Sequence, residues 1–318
     1  RRQRQMCIRD RNKKWRSFPN KIISSKKERG KIMPKRELTK CQKIERSIIT
    51  KYRSNIWKLV VRSCQNYELI KENDKIAVCI SGGKDSMLLA KCMQELALHG
   101  DVKFEVEFIC MNPGYDKVHI DNILENAKTL EIPLIMFDAP IFKYVTTQDN
   151  NPCYICARMR RGYLYEKAQS LGCNKIALGH HLDDVIETTL MSMFYSSEIS
   201  SMRPKLKSKN FEGMELIRPL YLVKEHDIKL WKAYNDLTFI NCACPLTKDG
   251  KCSSSKRLET KRVISYMKEF NPTVDDAIFR SIHNVNLQTL VGYRKGNKHL
   301  SFLENYDTEI LEEEKNAI

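Results

Sequence analysis

Six consecutive residues combine two glycines with side chains that can donate to a phosphate: Ser81-Gly82-Gly83-Lys84-Asp85-Ser86. They stand between an apolar run at 75–80 and a helical pattern at 87–98. Adjacent glycines let backbone amides approach phosphate oxygens, and the N-terminus of the following helix stabilises negative charge. The string has neither the Walker spacing nor the dinucleotide fingerprint. It predicts a nucleotide-phosphate loop, in preference to an ordinary glycine turn with a serine cap.

A second string carries two histidines and two carboxylates: Leu178-Gly179-His180-His181-Leu182-Asp183-Asp184. It follows a predicted strand and opens a predicted helix, so it lies at the same sheet edge as the first loop. Adjacent carboxylates beside a polyphosphate can bind magnesium or align the attacking group, and either can instead cap the helix. We assign Asp184 to catalysis and Asp183 to the metal, and expect one of the pair to cap. Gly179, His180 and Met111 are assigned to nucleotide binding, with a structural role for both histidines equally open.

The twelve cysteines of the chain include two groups with metal-ligand spacing. Cys153 and Cys156 form a Cys-x-x-Cys pair, which by itself fits zinc, an iron–sulfur cluster, a redox pair or coincidence. Cys242 or Cys244 can supply a third ligand, which would leave one iron of a cubane cluster open. With Cys252 as a fourth ligand, a closed zinc site is the alternative. The cysteines in apolar patterns are expected to be packing residues: Cys79, Cys92, Cys110 and Cys173.

Alternating strands and helices would position these groups. A basic amphipathic helix is predicted at 40–67, strands at 75–80, 104–111, 133–137 and 175–178, and helices between and after them at 87–98, 119–130, 156–171 and 185–195. Residues 200–215 are polar and predict a mobile loop, followed by an apolar run at 216–223 and a helix at 225–235. This order predicts an α/β fold, a doubly wound parallel sheet with helices on both faces.

Charge is distributed unevenly along the chain. Residues 1–32 hold 13 basic and two acidic residues, and the remainder holds 42 basic and 37 acidic residues, within a total charge of +16. The net charge is therefore weak evidence for a nucleic-acid partner. We predict a disordered or non-native tail at 1–32, a helical segment at 33–70, a nucleotide-binding domain with the clustered cysteines at 71–245, and a C-terminal helical segment with an acidic tail at 246–318.

The apolar runs are too short to span a membrane, and no charged-then-apolar signal opens the sequence. We therefore expect a cytoplasmic protein without a membrane partner. In that compartment the cysteines are expected to stay reduced.

The phosphate loop resembles that of the PP-loop ATPases, also called N-type ATP pyrophosphatases. In that family ATP is split between its α and β phosphates, so the resemblance implies adenylation of a carbonyl-like oxygen and an adenine nucleotide alpha hydrolase-like (HUP-type) fold. The whole set is similar to one branch, the tRNA 2-thiocytidine synthetases (TtcA-like). The residues that carry this resemblance are Ser81 to Ser86, Cys153, Cys156, Arg158 to Tyr165, Leu178 to His181, Asp183, Asp184, Pro204-Lys205-Leu206 and Arg218-Pro219-Leu220.

The resemblance implies ATP, magnesium, a 4Fe–4S cluster on three cysteines, and thiolation of a cytosine in the tRNA anticodon loop. We assign the cluster to Cys153, Cys156 and Cys244, with Cys242 in reserve, and expect the first two to be catalytic as well. The segment Asn241-Cys242-Ala243-Cys244-Pro245 departs from the Pro-Cys-x-x-Cys-Gly of better-known members. Its Cys-Pro resembles the 2-thiouridine synthetases, which leaves the modified base open. A desulfurase persulfide or sulfide is the expected sulfur donor.

Basic side chains near the predicted site supply candidate RNA contacts. Arg158 and Arg161 can hold phosphates of the substrate loop. Arg160 is assigned to catalysis, facing ATP, where its charge would stabilise the departing pyrophosphate. Arg203 and Lys205 belong to a second candidate patch, which continues through Lys207 and Lys209 and has a solvated basic face as its alternative. Recognition of tRNA would use this surface or a homodimer.

Two other classes of function fit parts of the sequence. A lysidine-forming tRNA ligase would share the phosphate loop and have no use for a cluster. A nucleotide-binding iron–sulfur redox sensor would change its partner binding on cluster loss, without turnover.

Overall fold

The structure is a computed structural model that describes residues 37–147, 152–240, 254–304 and 306, with the backbone alone at 152, 153, 254 and 255. The chain divides into two compact units, one ending at Val263 and one beginning at Ile264. Across these described ranges, no helix is both long and apolar enough to cross a membrane.

A six-stranded sheet forms the centre of the first unit. Its strands are β1 Lys75–Ile80, β2 Glu105–Asn112, β3 Leu134–Asp138, β4 Lys175–Ala177, β5 Lys205–Lys207 and β6 Glu215–Ile217. Their order across the sheet is β3-β2-β1-β4-β6-β5. Every neighbouring pair is parallel except β5 with β6. The predicted doubly wound parallel sheet is confirmed, with an antiparallel strand at one edge.

Helices cover both faces of this sheet. In chain order, the helices up to residue 270 are α1 Lys40–Ile49, α2 Lys58–Asn66, α3 Lys84–His99, α4 Lys117–Thr129, α5 Ile141–Val145, α6 Pro152–Ser170, α7 Leu182–Ser196, α8 Glu225–Tyr234 and α9 Ser254–Phe270. The core clusters place α1, α2, α3, α4, α6 and α8 against the sheet. A π-helical turn at Arg53–Trp57 separates α1 from α2, where the sequence pattern predicts one continuous helix.

The central strand β1 is buried on both faces, as expected within a parallel sheet. Ile76, Val78 and Ile80 pack in a large apolar cluster with α1, α2, α3, α4 and α8. Ala77 and Cys79 belong to a second cluster, which α6 covers. Packing from both sides therefore fixes the end of β1, from which the phosphate loop emerges.

The four cysteines predicted to be packing residues lie in the core. Cys79, Cys92, Cys110 and Cys173 are at most 7% exposed. Burial raises the pKa of each thiol, to about 12 for Cys110 and about 11 for Cys173. All four thiols belong to the apolar clusters around the sheet, so the predicted packing role is confirmed.

A short hairpin occupies part of the segment predicted as a loop at 200–215. Lys205, Leu206 and Lys207 pair with Ile217, Leu216 and Glu215. Strand β5 is at the edge of the sheet, where its lysines disfavour pairing with a strand of another chain. Three residues are too few for a strand pattern to be visible in the sequence.

The second unit is small. It contains α10 Val274–Ser281 and an antiparallel hairpin of β7 Gly292–Lys295 with β8 Lys298–Ser301. Gly296 in the turn has a φ of +65°, which favours glycine.

Candidate active site

The two predicted motifs meet where the strand order reverses. From β1 the chain adds β2 and β3 on one side, and β4 and β6 on the other. The loops that leave the carboxyl ends of β1 and β4 therefore border a crevice, the usual ligand position in an open α/β sheet. These loops begin at Ser81 and Leu178.

Gly82 shapes the first loop. Its φ is +83°, and a Cβ there would lie 2.6 Å from Cγ1 of Ile123 on α4. Gly83 follows as the extended N-cap residue of α3. The Ser86 hydroxyl accepts from the Ser81 amide at 3.1 Å and donates to the Gly83 carbonyl at 3.0 Å. The loop is thus fixed by its own contacts at the N-terminus of α3, the arrangement that binds phosphate.

Gly179 brings the second loop against the first. A Cβ at this position would lie 3.1 Å from the carbonyl carbon of Asp85 and 3.1 Å from the amide nitrogen of Ser86. Glycine allows this close backbone approach. Both loops therefore contribute to one wall.

A cleft of about 560 Å³ opens where the loops meet. Its volume suits a small-molecule ligand. Two buried polar atoms, Oδ1 of Asp85 and Nε of Arg160, have no hydrogen-bond partner among the described residues, as expected where a polar ligand binds. The predicted site residues that line the cleft are Ser81, Asp85, Ser86, Met111, Arg160, Arg161, Gly179, His180 and Asp184.

Two carboxylates hold the ammonium group of Lys84. Its Nζ lies 3.1 Å from Oδ2 of Asp85 and 3.0 Å from Oε1 of Glu225 on α8. Burial opposes the charge of Lys84, but the two carboxylates outweigh it and raise the pKa of Lys84. Burial likewise opposes the charge of Glu225, but hydrogen bonds from Lys84 and Lys229 lower its pKa to about 2. Lys84 is therefore held in place as a cation beside the loop.

The adjacent aspartates have different partners. Oδ2 of Asp183 accepts from the backbone amide of Glu225 at 2.7 Å, which caps α8. Oδ2 of Asp184 accepts from the amide of His181 at 3.1 Å, at the start of α7. Asp184 also forms part of the cleft wall. Both carboxylates cap a helix, and Asp184 additionally faces the ligand space.

Arg257 on α9 neutralises two carboxylates. Its Nη1 lies 2.7 Å from Oδ1 of Asp184 and 3.1 Å from Oε2 of Glu187, whose side chain is 3% exposed. Burial opposes the charge of Asp184, but His181 and Arg257 are among the neighbours that outweigh it, so its pKa is lowered. Asp184 is therefore ionised at neutral pH.

Lys261, one turn further along α9, extends this ion-pair chain. Its Nζ lies 3.4 Å from Oε1 of Glu187 and 3.5 Å from Oε2 of Glu225. Because Glu225 also holds Lys84, alternating charges connect α9 to the phosphate loop.

His180 is held in its neutral form. Burial and the nearby charge of Arg218 lower its pKa to about 4. Nε of Arg218 donates to Nδ1 of His180 at 3.4 Å, so the proton of the neutral ring lies on Nε2. Burial lowers the pKa of Arg218 to about 10, and this residue also lines the cleft.

Three residues of this site have no functional assignment from the sequence. Arg218 belongs to the quoted Arg-Pro-Leu string, which could have indicated it. Glu225 and Arg257 act through ion pairs between distant elements, and no local pattern marks such pairs.

Comparison with known proteins identifies the family. Residues 51–244 match the model of a PP-loop domain. The tRNA-cytidine(32) 2-sulfurtransferase of Syntrophotalea carbinolica is 34% identical over 239 residues, which are 74% of this chain and 91% of that protein. The enzyme of the same name from Coxiella burnetii strain CbuG_Q212 is 34% identical over 244 residues, 75% of this chain and 92% of that protein. This chain belongs to the PP-loop family of tRNA-cytidine(32) 2-sulfurtransferases.

Membership of the 2-sulfurtransferase family confirms the resemblance that the motifs indicated. It does not support the lysidine-ligase or redox-sensor alternatives. A solved structure, the U34-tRNA thiolase NcsA from Methanococcus maripaludis with its 4Fe–4S cluster, has a TM-score of 0.58 to this chain. It is 22% identical and covers 75% of this chain and 80% of its own. That likeness confirms the fold of this 2-sulfurtransferase family member.

The cysteines assigned to a cluster lie largely outside the described residues. These are Cys244 and its reserve Cys242, with the side chain of Cys153, and Cys252, the fourth ligand of the alternative zinc site, also lies outside them. Cys156 on α6 is described and is 7% exposed, packed in an apolar cluster with Met111 and Phe142. Among the side chains that the structure does describe, no three His, Cys, Asp or Glu residues are grouped to hold a metal ion. The cluster assignment therefore stays a prediction.

The basic residues assigned to RNA fall into different surroundings. Arg161 lines the cleft, and Arg158 lines a separate cavity beside α6. The Lys205 ammonium donates to the carbonyl of Glu68 at 3.1 Å. Arg203 is exposed, and its backbone carbonyl accepts from Arg218. Their role in RNA binding stays a prediction for this 2-sulfurtransferase family member.

Proposed function

We propose that this protein is an ATP-dependent tRNA sulfurtransferase that adenylates a cytosine of the anticodon loop and replaces its oxygen with sulfur. The observation that carries this proposal is the cleft at the strand reversal, where a preformed phosphate loop and an ionised aspartate face one another. The activity for which the relatives are named supports the same reaction.

The proposed chemistry has two steps. First, O2 of the cytosine attacks the α phosphorus of ATP, the bond to the bridging oxygen breaks, and pyrophosphate leaves with that electron pair. A sulfur nucleophile then adds at C2, and the former O2 leaves as an oxygen of AMP. Each thiolated base therefore uses one ATP and releases one AMP and one pyrophosphate.

Residues of both loops would serve the first step. The amides after Gly82 and the hydroxyl of Ser81 would bind the departing phosphates, with the field of α3 in their favour. Nε of Arg160 is an unpartnered buried donor that a phosphate oxygen would satisfy. The neutral ring of His180 would donate from Nε2 without adding charge to the cleft. Preformed donors of this kind stabilise charge where it develops.

Magnesium would be held by carboxylate oxygens of the cleft. Oδ1 of Asp85 is buried, accepts no hydrogen bond from the described residues and lies 3.8 Å from Nε2 of His181, so it would be available as a cation ligand. Asp184 lines the same wall in ionised form. The assignment of Asp183 to the metal is weaker, because Asp183 is not among the residues that line the cleft.

The sulfur step would use the clustered cysteines. Cys153, Cys156 and Cys244, or Cys242, would hold a 4Fe–4S cluster, which when bound would supply sulfur-transfer chemistry. Free sulfide would supply that sulfur directly, and a desulfurase persulfide would supply it together with a two-electron reductant such as a pair of thiols. A homodimer and a cytoplasmic location complete the proposal.

Nucleoside analysis tests the proposed function. The protein is expressed in a bacterium whose tRNA lacks 2-thiocytidine, and the tRNA is digested and analysed by mass spectrometry. We expect 2-thiocytidine with the native sequence and with Lys71→Ala, an exposed change at the opposite sheet edge. Asp184→Asn and Cys153→Ala are expected to give none while still accumulating as folded protein. 2-Thiouridine, lysidine or unmodified tRNA with the native sequence would overturn the proposal.

A further inference from the structure

A second cavity, of about 740 Å³, lies beside the cleft and is lined by α6, β5, β6 and the turn between these strands. We define the outer cavity by its basic and aromatic lining: Tyr154, Arg158, Arg161, Lys207, Lys209 and Phe211. Arg161, Leu206 and Leu216 line both the cleft and the outer cavity. The two spaces therefore adjoin, and a ligand in one could extend into the other.

The outer cavity is strongly basic, although the folded part of the chain is nearly balanced in charge. Four of its lining residues carry a positive charge, and none of the residues that line it is an aspartate or glutamate. Beyond residue 32 the chain holds 42 basic and 37 acidic residues. Positive charge is therefore concentrated in the outer cavity, with no carboxylate beside it to neutralise it. A polyanionic ligand would require such a site.

Helix α6 presents its share of the lining on one face. Tyr154, Arg158, Arg161, Gly162 and Tyr165 follow at spacings of four, three, one and three residues, the spacing of neighbours on a helix surface. Tyr154 is 66% exposed, so its ring is available to a ligand. An aromatic side chain beside arginines on one face is the combination that binds unpaired nucleotides.

The floor of the outer cavity is apolar and aromatic. Tyr165 and Phe211 stack with ring centroids 5.0 Å apart and an interplanar angle of 18°. Leu216 beside them is 3% exposed. A rigid stacked pair under a basic rim can accept a base, while the rim binds its phosphates.

Gly162 keeps the outer cavity open. It stands inside α6, where glycine lowers helix stability relative to alanine. A Cβ at Gly162 would meet no atom within 4 Å. The missing side chain is therefore not explained by packing, and it leaves space on the face that lines the cavity.

We propose that the outer cavity binds the unpaired nucleotides next to the reacting base of the tRNA substrate. The phosphates would contact Arg158, Lys207 and Lys209, and a neighbouring base would stack on Tyr154, while the reacting base enters the cleft past Arg161. This inference rests on the proposed function for the identity of the substrate. Its binding role does not depend on turnover.

Two variants test the outer cavity without touching the phosphate loop. Gly162→Trp fills the cavity, and Gly162→Ala is its matched control at the same position. Lys207→Ala with Lys209→Ala removes two cations, and Lys71→Ala with Lys103→Ala removes two exposed cations that precede β1 and β2, at the opposite sheet edge. Binding of a labelled tRNA transcript and of ATP is measured separately for each full-length variant.

We expect Gly162→Trp and the Lys207/Lys209 double variant to weaken tRNA binding about tenfold at 0.1 M salt, with ATP affinity unchanged. The slope of log K against log salt concentration is negative, and the loss of two phosphate contacts is expected to make it shallower by about 1.4. The controls are expected to match the native protein. Unchanged ATP affinity excludes misfolding as the cause of weak tRNA binding.

Equal tRNA affinity and equal salt slope for the double variant and its control would overturn the inference, even if thiolation is normal. Native protein that binds tRNA with the expected dependence on Lys207 and Lys209 but never thiolates it would leave the inference standing and overturn the proposed function. Native protein that does not bind tRNA would overturn both.

Discussion

Oε1 of Glu225 lies 3.0 Å from Nζ of Lys84, which joins the first turn of α8 to the phosphate loop. The backbone amide of Glu225 is itself bound by Asp183, from the start of α7. Lys84 is therefore positioned by two elements that are remote in sequence from its loop. The loop sequence alone does not determine the site geometry.

Glu225→Gln should weaken ATP binding. The substitution keeps the shape of the side chain but removes the charge that holds Lys84, and charge-assisted hydrogen bonds contribute about 1.5–3 kcal/mol. We expect ATP affinity, measured by calorimetry, to fall about tenfold. Lys229→Ala removes the exposed partner of Glu225 and serves as the control, with little expected effect. Equal ATP affinities for the two variants would contradict the positioning role.

Glu225 should also contribute to acid stability. Its folded pKa is about 2, against 4.5 for the free group, so its stabilising contribution is fully present above pH 4.5 and is lost as the pH falls towards 2. Chemical unfolding between pH 5 and 3 should therefore show a smaller pH dependence for Glu225→Gln than for the native protein. An unchanged pH dependence would mean that the carboxylate is not ion-paired in solution.

Gly82→Ala should disrupt the phosphate loop in two ways, through backbone strain and through a steric clash with Ile123. Gly172 has a φ of +73° and open space within 4 Å of the point where a Cβ would stand, whereas a Cβ at Gly82 would lie 2.6 Å from Ile123. Alanine in the left-handed region costs about 1–2 kcal/mol at either position. We expect both variants to lose that stability, and only Gly82→Ala to lose ATP binding, as measured by calorimetry. The double variant Gly82→Ala with Ile123→Ala should recover part of the ATP binding, because it removes the side chain that the new Cβ would meet.

Arg257→Gln should alter the titration of Asp184. Arg257 donates to Asp184 at 2.7 Å and favours its ionised form, so its loss should raise the pKa of Asp184. We expect the acid limb of the activity profile to move to higher pH, with Arg257→Lys restoring part of the shift. Arg262→Gln, an exposed change on the same helix, is the control. A lowered rate with an unmoved acid limb would show that Arg257 acts only on the fold.

His180 should remain neutral through the physiological range. Its folded pKa of about 4 lies below the 6.5 of the free ring, so the stability it contributes is present above pH 6.5 and is lost as the pH falls towards 4. Ring resonances of His180 followed by NMR should show no titration between pH 8 and 5.5. A midpoint near 6.5 would contradict the neutral, half-buried donor described for His180.

The phosphate loop, the second motif and the sheet could be predicted from the sequence because each depends on local patterns. Gly82 and Gly179 follow short apolar strands, and parallel strands bring their carboxyl ends to one edge. Arg257 could not be predicted, because it reaches Asp184 across 73 positions through an ion pair that leaves no periodic signal. The outer cavity was equally hidden, since it depends on β5 turning residues 205–211 towards α6.

The stoichiometry of the reaction is a direct measure of whether ATP adenylates the base. The full chain is purified without oxygen and incubated with a tRNA transcript, ATP and sulfide, and AMP, pyrophosphate and 2-thiocytidine are quantified together. Adenylation of the base predicts one AMP and one pyrophosphate for each 2-thiocytidine formed. Release of ADP and phosphate, or thiolation that proceeds without ATP, would contradict adenylation of the base at this site.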